Sequence, residues 1–207
     1  MIAPPERSPE RDAALAALLP RVPAQGWTFA ALRGALTDIG ADPRDAELLF
    51  PGGAVEMVEA YLDRADRRLE EAAGELVGLR LGAKVRALVA RRFAGARADK
   101  AAVRRAVAIL ALPRNAAVAA RTLARTVDTI WHVAGDTSAD FNWYTKRATL
   151  AGIYSASLLF WLRDASEDDA PTLAFLDRRL AGHARFGKLA RRVEGAVARV
   201  SLLRRPA

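Results

Sequence analysis

Histidine and cysteine carry much of the metal and nucleophilic chemistry of proteins, and this chain has two histidines and no cysteine. Neither His132 nor His183 has a second ligand at a metal-binding spacing. His132 follows Trp131 in a mostly apolar segment, so we expect it to be structural. No nucleophile–base pair stands out, and the acidic residues are typical of solvated helix faces. The residues therefore predict a protein that is not an enzyme and needs no metal or cofactor.

A glycine-rich segment, Gly78–Lys84, has a superficial likeness to a phosphate-binding loop. Its spacing is wrong, it lacks the terminal Lys-Ser/Thr pair, and no strand precedes it. The repeated glycines at 74, 78 and 82 indicate close helix packing or a helix break instead.

The most distinctive residues are aromatic. Aromatic side chains make up 7% of the chain, yet Phe141, Trp143 and Tyr144 fall within four positions at a predicted helix start, between Asp140 and the basic pair Lys146-Arg147. This arrangement favours a surface that contacts an apolar partner. Core packing is the alternative, and the residues alone leave both open.

The elements that must position this cluster are all predicted to be helical. Apolar residues recur at helical spacing between Gly and Pro, and no segment alternates as a strand does. Thr28, Asp42, Asp99 and Asp140 are expected to cap helix starts. We predict helices over residues 10–19, 28–39, 43–50, 54–76, 80–96, 100–111, 114–134, 141–163, 170–184 and 186–203.

The predicted helix 141–163 is apolar on two sides, so two different neighbours must cover it. The first stripe consists of Trp143, Leu150, Tyr154 and Trp161. The second consists of Phe141, Tyr144, Ala148, Gly152, Ser155 and Leu159. The protein core can cover one stripe, and a ligand, lipid or second subunit the other.

The first helices follow the order of a helix-turn-helix. A turn at Gly26–Thr28 and a short helix from Asp42 to Phe50, followed by Pro51-Gly52 and a long helix, resemble the TetR-family regulators. A recognition helix needs cations and amides for phosphates and base edges. This one carries Asp42, Asp45 and Glu47, so we expect that it does not bind DNA.

Charge is unevenly distributed along the chain. The net charge is +8, which suggests a polyanionic partner, either nucleic acid or an anionic membrane. Residues 1–62 hold five arginines and nine acids, a net charge of −4, so the rest of the chain carries +12. From Arg185 onwards seven cationic side chains face one acid, Glu194.

The basic end of the chain has an amphipathic pattern that suits a membrane interface. A terminal helix docked on its own domain is the alternative. The residues of the predicted membrane helix are Phe186, Lys188, Leu189, Arg191, Arg192, Val193, Val197 and Val200.

Several motifs, from about Ala14 onwards, resemble one family, the coenzyme Q-nine family of ubiquinone-biosynthesis accessory lipid-binding proteins. The strongest part of the resemblance is residues 128–163. The motifs are the run Gly135–Asp164, with Leu112-Pro113-Arg114-Asn115, Asp128-Thr129-Ile130-Trp131-His132 and Phe175-Leu176-Asp177-Arg178-Arg179.

The resemblance implies an all-α, TetR-regulator-like bundle of about nine helices plus a carboxy-terminal amphipathic helix. It also implies a homodimer, no nucleic-acid binding, and an apolar cavity for isoprenoid lipids. The implied patch for a partner enzyme is Asp128, Ile130, Asp140, Trp143 and Tyr144, with Phe93. The residues expected to contact lipid are Trp131, Leu150, Tyr154, Leu158, Leu88 and Leu110.

The resemblance further implies a non-catalytic protein that binds ubiquinone intermediates at an anionic membrane surface. It would present them to the di-iron demethoxyubiquinone hydroxylase. The alternative is a TetR-type ligand-responsive repressor. We expect a degenerate helix-turn-helix region at 1–52, a lipid-binding and dimerisation core at 53–184 and a membrane helix at 185–207. The start of the sequence has no apolar signal segment, so we expect a bacterial cytoplasmic protein, peripheral on the inner membrane.

Overall fold

The computed structural model describes residues 3–71, 73–137 and 141–182. Within these ranges the chain is helical and contains no strand, which confirms the predicted all-α class. Three short 3₁₀ turns, Pro43–Asp45, Ala73–Leu76 and Pro113–Asn115, lie between helices. The helices are α1 (Pro9–Leu18), α2 (Val22–Gln25), α3 (Phe29–Asp38), α4 (Ala46–Leu49), α5 (Gly53–Glu71), α6 (Leu81–Gly95), α7 (Lys100–Leu110), α8 (Ala116–Ala134), α9 (Phe141–Trp161) and α10 (170–182).

Most predicted helices are present, and the differences occur at prolines and glycines. The segment 43–50 begins as a 3₁₀ turn at Pro43 and continues as the four-residue helix α4. The predicted helix 54–76 ends at Glu71, before a 3₁₀ turn that contains Gly74. Helix α2 was not predicted. The predicted helix 186–203 lies outside the described residues.

Two of the four predicted caps are confirmed. The Thr28 hydroxyl accepts a hydrogen bond from the Ala31 N–H at 3.1 Å, and the Asp42 carboxylate accepts one from the Arg44 N–H at 2.9 Å. Asp99 occupies the predicted N-cap position of α7, but its side chain makes no capping hydrogen bond. Asp140 lies outside the part of the chain that the structure describes.

The chain divides into two compact units, Met1–Ala151 and Gly152–Ala207. The predicted helix-turn-helix region and the first part of the predicted core therefore belong to one unit. The predicted boundary at 184/185 lies outside the described residues. In the second unit, the Trp161 indole N–H donates to Asp169 at 3.1 Å, and the Phe160 and Phe175 rings stack with centroids 4.7 Å apart.

Helix α5 organises the first unit, where it packs most extensively on α8 and also contacts α6, α7 and α1. Its apolar side chains Met57, Val58, Tyr61 and Leu69 are buried. Three carboxylates, Glu59, Asp63 and Asp66, are buried as well. Their spacing of four and three residues places them along one face of the helix.

Arginines from three parts of the chain satisfy these carboxylates. Asp63 accepts two hydrogen bonds from the Arg7 guanidinium, both at 2.8 Å. Glu59 accepts from Arg121 at 2.9 and 2.6 Å and from Arg125 at 3.2 Å. Burial opposes ionisation of Glu59, but the two arginines outweigh it and lower the pKa of the carboxyl.

The third carboxylate, Asp66, is also buried. It accepts from the Arg92 Nε at 3.1 Å and from the Thr126 hydroxyl at 3.0 and 2.9 Å. Burial raises the pKa of Asp66 to about 6, although Arg92 and Thr126 act in the opposite direction. The acidic face of α5 thus ties the amino-terminal segment, α6 and α8 to one helix.

The Asp63–Arg7 pair gives a stability prediction. Asp63→Asn should lower the free energy of unfolding by about 1.5–3 kcal/mol, because it removes the charge of a buried carboxylate that accepts two hydrogen bonds from the partly exposed Arg7. The control is Asp38→Asn, which removes the partner of Arg21 in a pair whose side chains are 55% and 30% exposed. That change should cost less than about 1 kcal/mol. Urea unfolding of both variants measures the difference, and equal losses would contradict the role assigned to Asp63.

Candidate functional site

Helix α8 ends in a glycine-dependent turn that leads towards α9. Gly135 has a φ of +84°, in the left-handed region that favours glycine. Its N–H donates to the His132 carbonyl at 2.9 Å, and the Asp136 N–H donates to the Trp131 carbonyl at 3.0 Å. These two bonds form a Schellman motif, which satisfies the last carbonyls of α8 and sets the direction of the chain.

The Asp136 side chain then connects this turn to α9. Its carboxylate is only 3% exposed and lies 2.7 Å from the Lys146 ammonium and 3.7 Å from Arg147 Nη1. The Lys146 ammonium also lies 5.6 Å from the centre of the Trp131 ring, within cation–π range. Two consecutive cations of α9 are thereby held against the end of α8.

Arg147 of α9 contacts both Asp128 of α8 and Trp143 of its own helix. Its Nε donates to the Asp128 Oδ1 at 2.8 Å, and its Nη2 lies 2.7 Å from the same oxygen. The guanidinium carbon lies 3.8 Å from the centre of the Trp143 ring. Because the side chain is only 16% exposed, both interactions are partly shielded from water. Arg147 thus fixes the position of the indole.

Trp143 and Tyr144 form an aromatic pair at the surface. Their rings meet edge to face with centroids 4.8 Å apart. Trp143 is half-buried, whereas Tyr144 is 68% exposed and is among the most exposed large side chains described. An exposed tyrosine beside a fixed tryptophan is typical of a protein interface.

An apolar groove of about 330 Å³ lies beside this pair, between α8 and α9. Its walls are mostly small side chains, so the two helices leave an open channel between them. Asp128, Trp143 and Arg147 also line it. The small and apolar lining residues are Ala120, Leu123, Ala124, Val127, Ala148 and Ala151.

The structure brings together part of the predicted partner patch. Asp128, Trp143 and Tyr144 lie on one surface, as expected. Phe93 and Ile130 do not, because their side chains are 2% and 0% exposed and belong to the core. Their assignment to the partner-binding patch stays a prediction. Asp140 lies outside the described residues.

The six predicted lipid contacts do not line this groove. Leu88, Leu150 and Tyr154 are buried, and Trp131, Leu158 and Leu110 are half-buried. Their role in lipid binding stays a prediction. All eight predicted membrane-helix residues, from Phe186 to Val200, lie outside the described residues.

Sequence reasoning did not identify the groove or the role of Arg147. A signal was present, because alanines occur four apart on α8, at 120 and 124, and three apart on α9, at 148 and 151. Small side chains at those spacings lie on one face of a helix. That pattern does not by itself show which face of α8 lies next to which face of α9.

The described residues give little support for a metal site or a membrane-spanning helix. Among the described residues no group of His, Cys, Asp and Glu side chains is arranged to hold a metal ion. No single helix in those ranges has the length and hydropathy to cross a bilayer. Lys100–Leu110 and Pro113–Ala134 pass that test only as a pair, with a bend of 94°.

The fold defines the class of protein. A crystal structure of a TetR transcriptional regulator from Nitrosomonas europaea superposes with a TM-score of 0.70, covering 86% of this chain and 99% of that one. The two sequences are 21% identical, so the likeness establishes a TetR-like fold and nothing about activity.

The sequence comparisons then define the family. Residues 116–187 match the COQ9 family model, and these residues include the groove and the aromatic pair. Rat ubiquinone biosynthesis protein COQ9, mitochondrial, is 34% identical over 189 residues, which cover 87% of this chain and 60% of the rat protein. The human protein of that name is 33% identical over 189 residues, covering 87% and 59%. Residues 116–187 thus match the COQ9 family, and the chain is similar to proteins of that name over most of its length.

A more distant relative has the same kind of name. The probable ubiquinone biosynthesis protein coq9, mitochondrial, of Dictyostelium discoideum is 28% identical over 169 residues, covering 75% of this chain and 53% of that protein. The chain thus spans little more than half the length of these relatives. The expectation of a bacterial cytoplasmic location is wrong, because these relatives are all named as mitochondrial proteins and come from eukaryotes.

The contact of Arg147 with Trp143 can be tested by fluorescence. Arg147→Met should move the emission of Trp143 to longer wavelength and increase its quenching by acrylamide, because the indole loses its cationic cover. The same change in a Trp143→Phe background should have no such effect, which separates Trp143 from the other tryptophans. Unchanged quenching in the first variant would show that Arg147 does not hold the indole.

Proposed function

We propose that this chain is a non-catalytic lipid-binding accessory protein of ubiquinone biosynthesis. In this proposal it binds isoprenoid ubiquinone intermediates at an anionic membrane surface and presents them to the di-iron demethoxyubiquinone hydroxylase. It acts as a homodimer. The observation that carries the proposal is the exposed Trp143–Tyr144 pair beside the apolar groove, within the segment that matches the COQ9 family.

The geometry of the pair supports docking of a protein partner. Tyr144 offers apolar area together with a hydroxyl, and Trp143 is held in place by Arg147 before any partner arrives. A rigid aromatic anchor loses little conformational entropy on binding. Interface energy concentrates on such residues, with Trp, Tyr and Arg enriched. The surface has all three side chains next to one another.

The lipid part of the proposal rests on the family and on the apolar character of the site. The relatives are named ubiquinone biosynthesis proteins. The groove between α8 and α9 has a lining dominated by alanine, leucine and valine. Such a surface suits the isoprenoid part of a ubiquinone intermediate, which is hydrocarbon.

The charge arrangement favours this function over a DNA-binding repressor. Each of the five arginines in residues 1–62 pairs with a carboxylate: Arg7 with Asp63, Arg11 with Glu56, Arg21 with Asp38, Arg33 with Glu47, and Arg44 with Asp42. These cations are therefore already neutralised by the protein, whereas DNA binding needs cations that can replace counterions on phosphates. A salt-dependent mobility shift with the protein's own promoter region would reverse this conclusion.

The docking proposal predicts a loss of partner affinity in two surface variants. Trp143→Ala and Tyr144→Lys should each weaken binding to the hydroxylase by about 30-fold, which corresponds to the 2 kcal/mol of an interface hot spot. Surface plasmon resonance with the purified hydroxylase measures the change. The matched control is Leu48→Lys, at a side chain that is 79% exposed and lies on α4. Wild-type affinity in both folded aromatic variants would count decisively against the proposal.

The membrane proposal concerns the basic carboxy-terminal segment. Removal of residues 185–207 should reduce binding to liposomes that contain anionic lipid, because each cation near such a surface contributes on the order of 1 kcal/mol. Liposomes of neutral lipid are the control, and both proteins should bind them weakly. Equal binding of the full and shortened proteins to anionic liposomes would refute a membrane role for this segment.

A further inference from the structure

A second cavity lies in the first unit, away from the surface on α8 and α9. Its volume is about 510 Å³, and residues of α1, α2, α5 and the segment before α7 line it. One side is apolar and is formed by Leu19, Pro20 and Pro23. Arg64 and Arg68 of α5 also line the cavity. The lining therefore combines apolar residues with two arginines, which we call the cationic wall.

The two arginines differ from most arginines of this unit in having no hydrogen-bonded or ion-pair partner within the part of the chain that the structure describes. Neither Arg64 nor Arg68 makes a hydrogen bond or an ion pair there. This separates them from Arg67 on the same helix, which pairs with Asp12 at 2.6 Å and with Asp63 at 3.4 Å. On α5, Arg67 thus forms ion pairs within the protein, whereas Arg64 and Arg68 line a cavity.

The positive charges of Arg64 and Arg68 repel each other when no anion is bound. Arg64 and Arg68 are four residues apart on one helix, which brings two like charges to the same face. Arg64 is half-buried, and its burial, followed by the charge of Arg68, lowers its pKa. An arginine whose charged form is disfavoured by its surroundings would gain from a bound anion.

One carboxylate, Asp99, also lines the cavity and offsets part of this charge. Burial raises the pKa of its carboxyl, which Arg68 and Arg64 oppose. Helix α7 begins directly after Asp99, so the partial positive charge of a helix start adjoins the same wall. Asp12, whose carboxylate pairs with Arg67, also acts favourably on Arg64, so Asp99 is the carboxylate that lines the cavity beside two guanidiniums and a helix start.

We infer that this cavity binds an organic phosphate, with the phosphate on Arg64 and Arg68 and the carbon part against Leu19, Pro20 and Pro23. Guanidinium groups donate paired hydrogen bonds that match the geometry of phosphate oxygens. The volume falls within the range of small-molecule sites and leaves room for more than a phosphate group. This site is independent of the proposed docking surface.

Isothermal titration calorimetry of the full chain with phenyl phosphate tests the site. At matched ionic strength we expect wild-type protein to bind phenyl phosphate at least tenfold more tightly than the Arg64→Gln/Arg68→Gln variant. Arg114→Gln is the control, because it removes one exposed cation outside the cavity and should leave the affinity unchanged. Equal affinity in the double variant, or no binding by the wild type, would overturn the inference.

Folding is checked in the same samples. The double variant removes a like-charge pair, so its thermal midpoint without ligand should not fall below that of the wild type. If it does fall, the single Arg68→Gln variant, at an exposed position, provides the comparison. It should retain the wild-type midpoint and still bind phenyl phosphate at least threefold more weakly. Wild-type affinity in that folded variant would overturn the inference.

Flotation with vesicles that contain phosphatidic acid distinguishes the source of the phosphate. Weaker flotation of the double variant than of Arg114→Gln would support the site and assign it to a lipid headgroup. Equal flotation with weakened phenyl phosphate binding would support the site and assign it to a soluble phosphate ester. The Trp143→Ala variant should bind phenyl phosphate with wild-type affinity, because Trp143 does not line this cavity. The phosphate-binding inference and the docking proposal can therefore fail independently.

Discussion

The structure depends on the need to neutralise three buried carboxylates on one face of α5. Glu59, Asp63 and Asp66 are stable inside the protein only if cations reach them, because an unpaired buried charge costs several kcal/mol. The cations come from the amino-terminal segment, from α6 and from α8. This requirement specifies which helices surround α5 and in what register. Apolar burial alone would tolerate several arrangements.

Helix α8 links that core to the proposed docking surface. Arg121 and Arg125 lie towards α5 and neutralise Glu59, whereas Asp128, one turn further along, accepts from Arg147 of α9. The same kind of interaction therefore holds the fold together and fixes the position of Trp143. Polar pairs suit this second role, since a guanidinium has a fixed hydrogen-bond geometry and orients the ring beneath it.

Net charge does not show how many cationic side chains are available to a partner. A net charge of +8 on a fold that resembles a DNA-binding regulator would ordinarily favour nucleic acid. In this protein many arginines have carboxylate partners of their own chain, including all five in residues 1–62. An arginine that is paired in this way stabilises the fold and helps to align the helices, and it contributes little to the attraction of a polyanion. Arg64 and Arg68 differ from these arginines because they face a cavity instead.

The amino-acid sequence by itself determined the all-helical class, most helix positions, the resemblance to the COQ9 family and the aromatic pair at the start of α9. These follow from local information, since apolar periodicity, caps and motifs lie within a few turns of one another. Only the tertiary structure decided that Phe93 and Ile130 are in the core, that Arg147 covers Trp143, and that alanines of α8 and α9 form a groove. Periodicity defines the faces of each helix, but long-range packing and ion pairing select which faces meet.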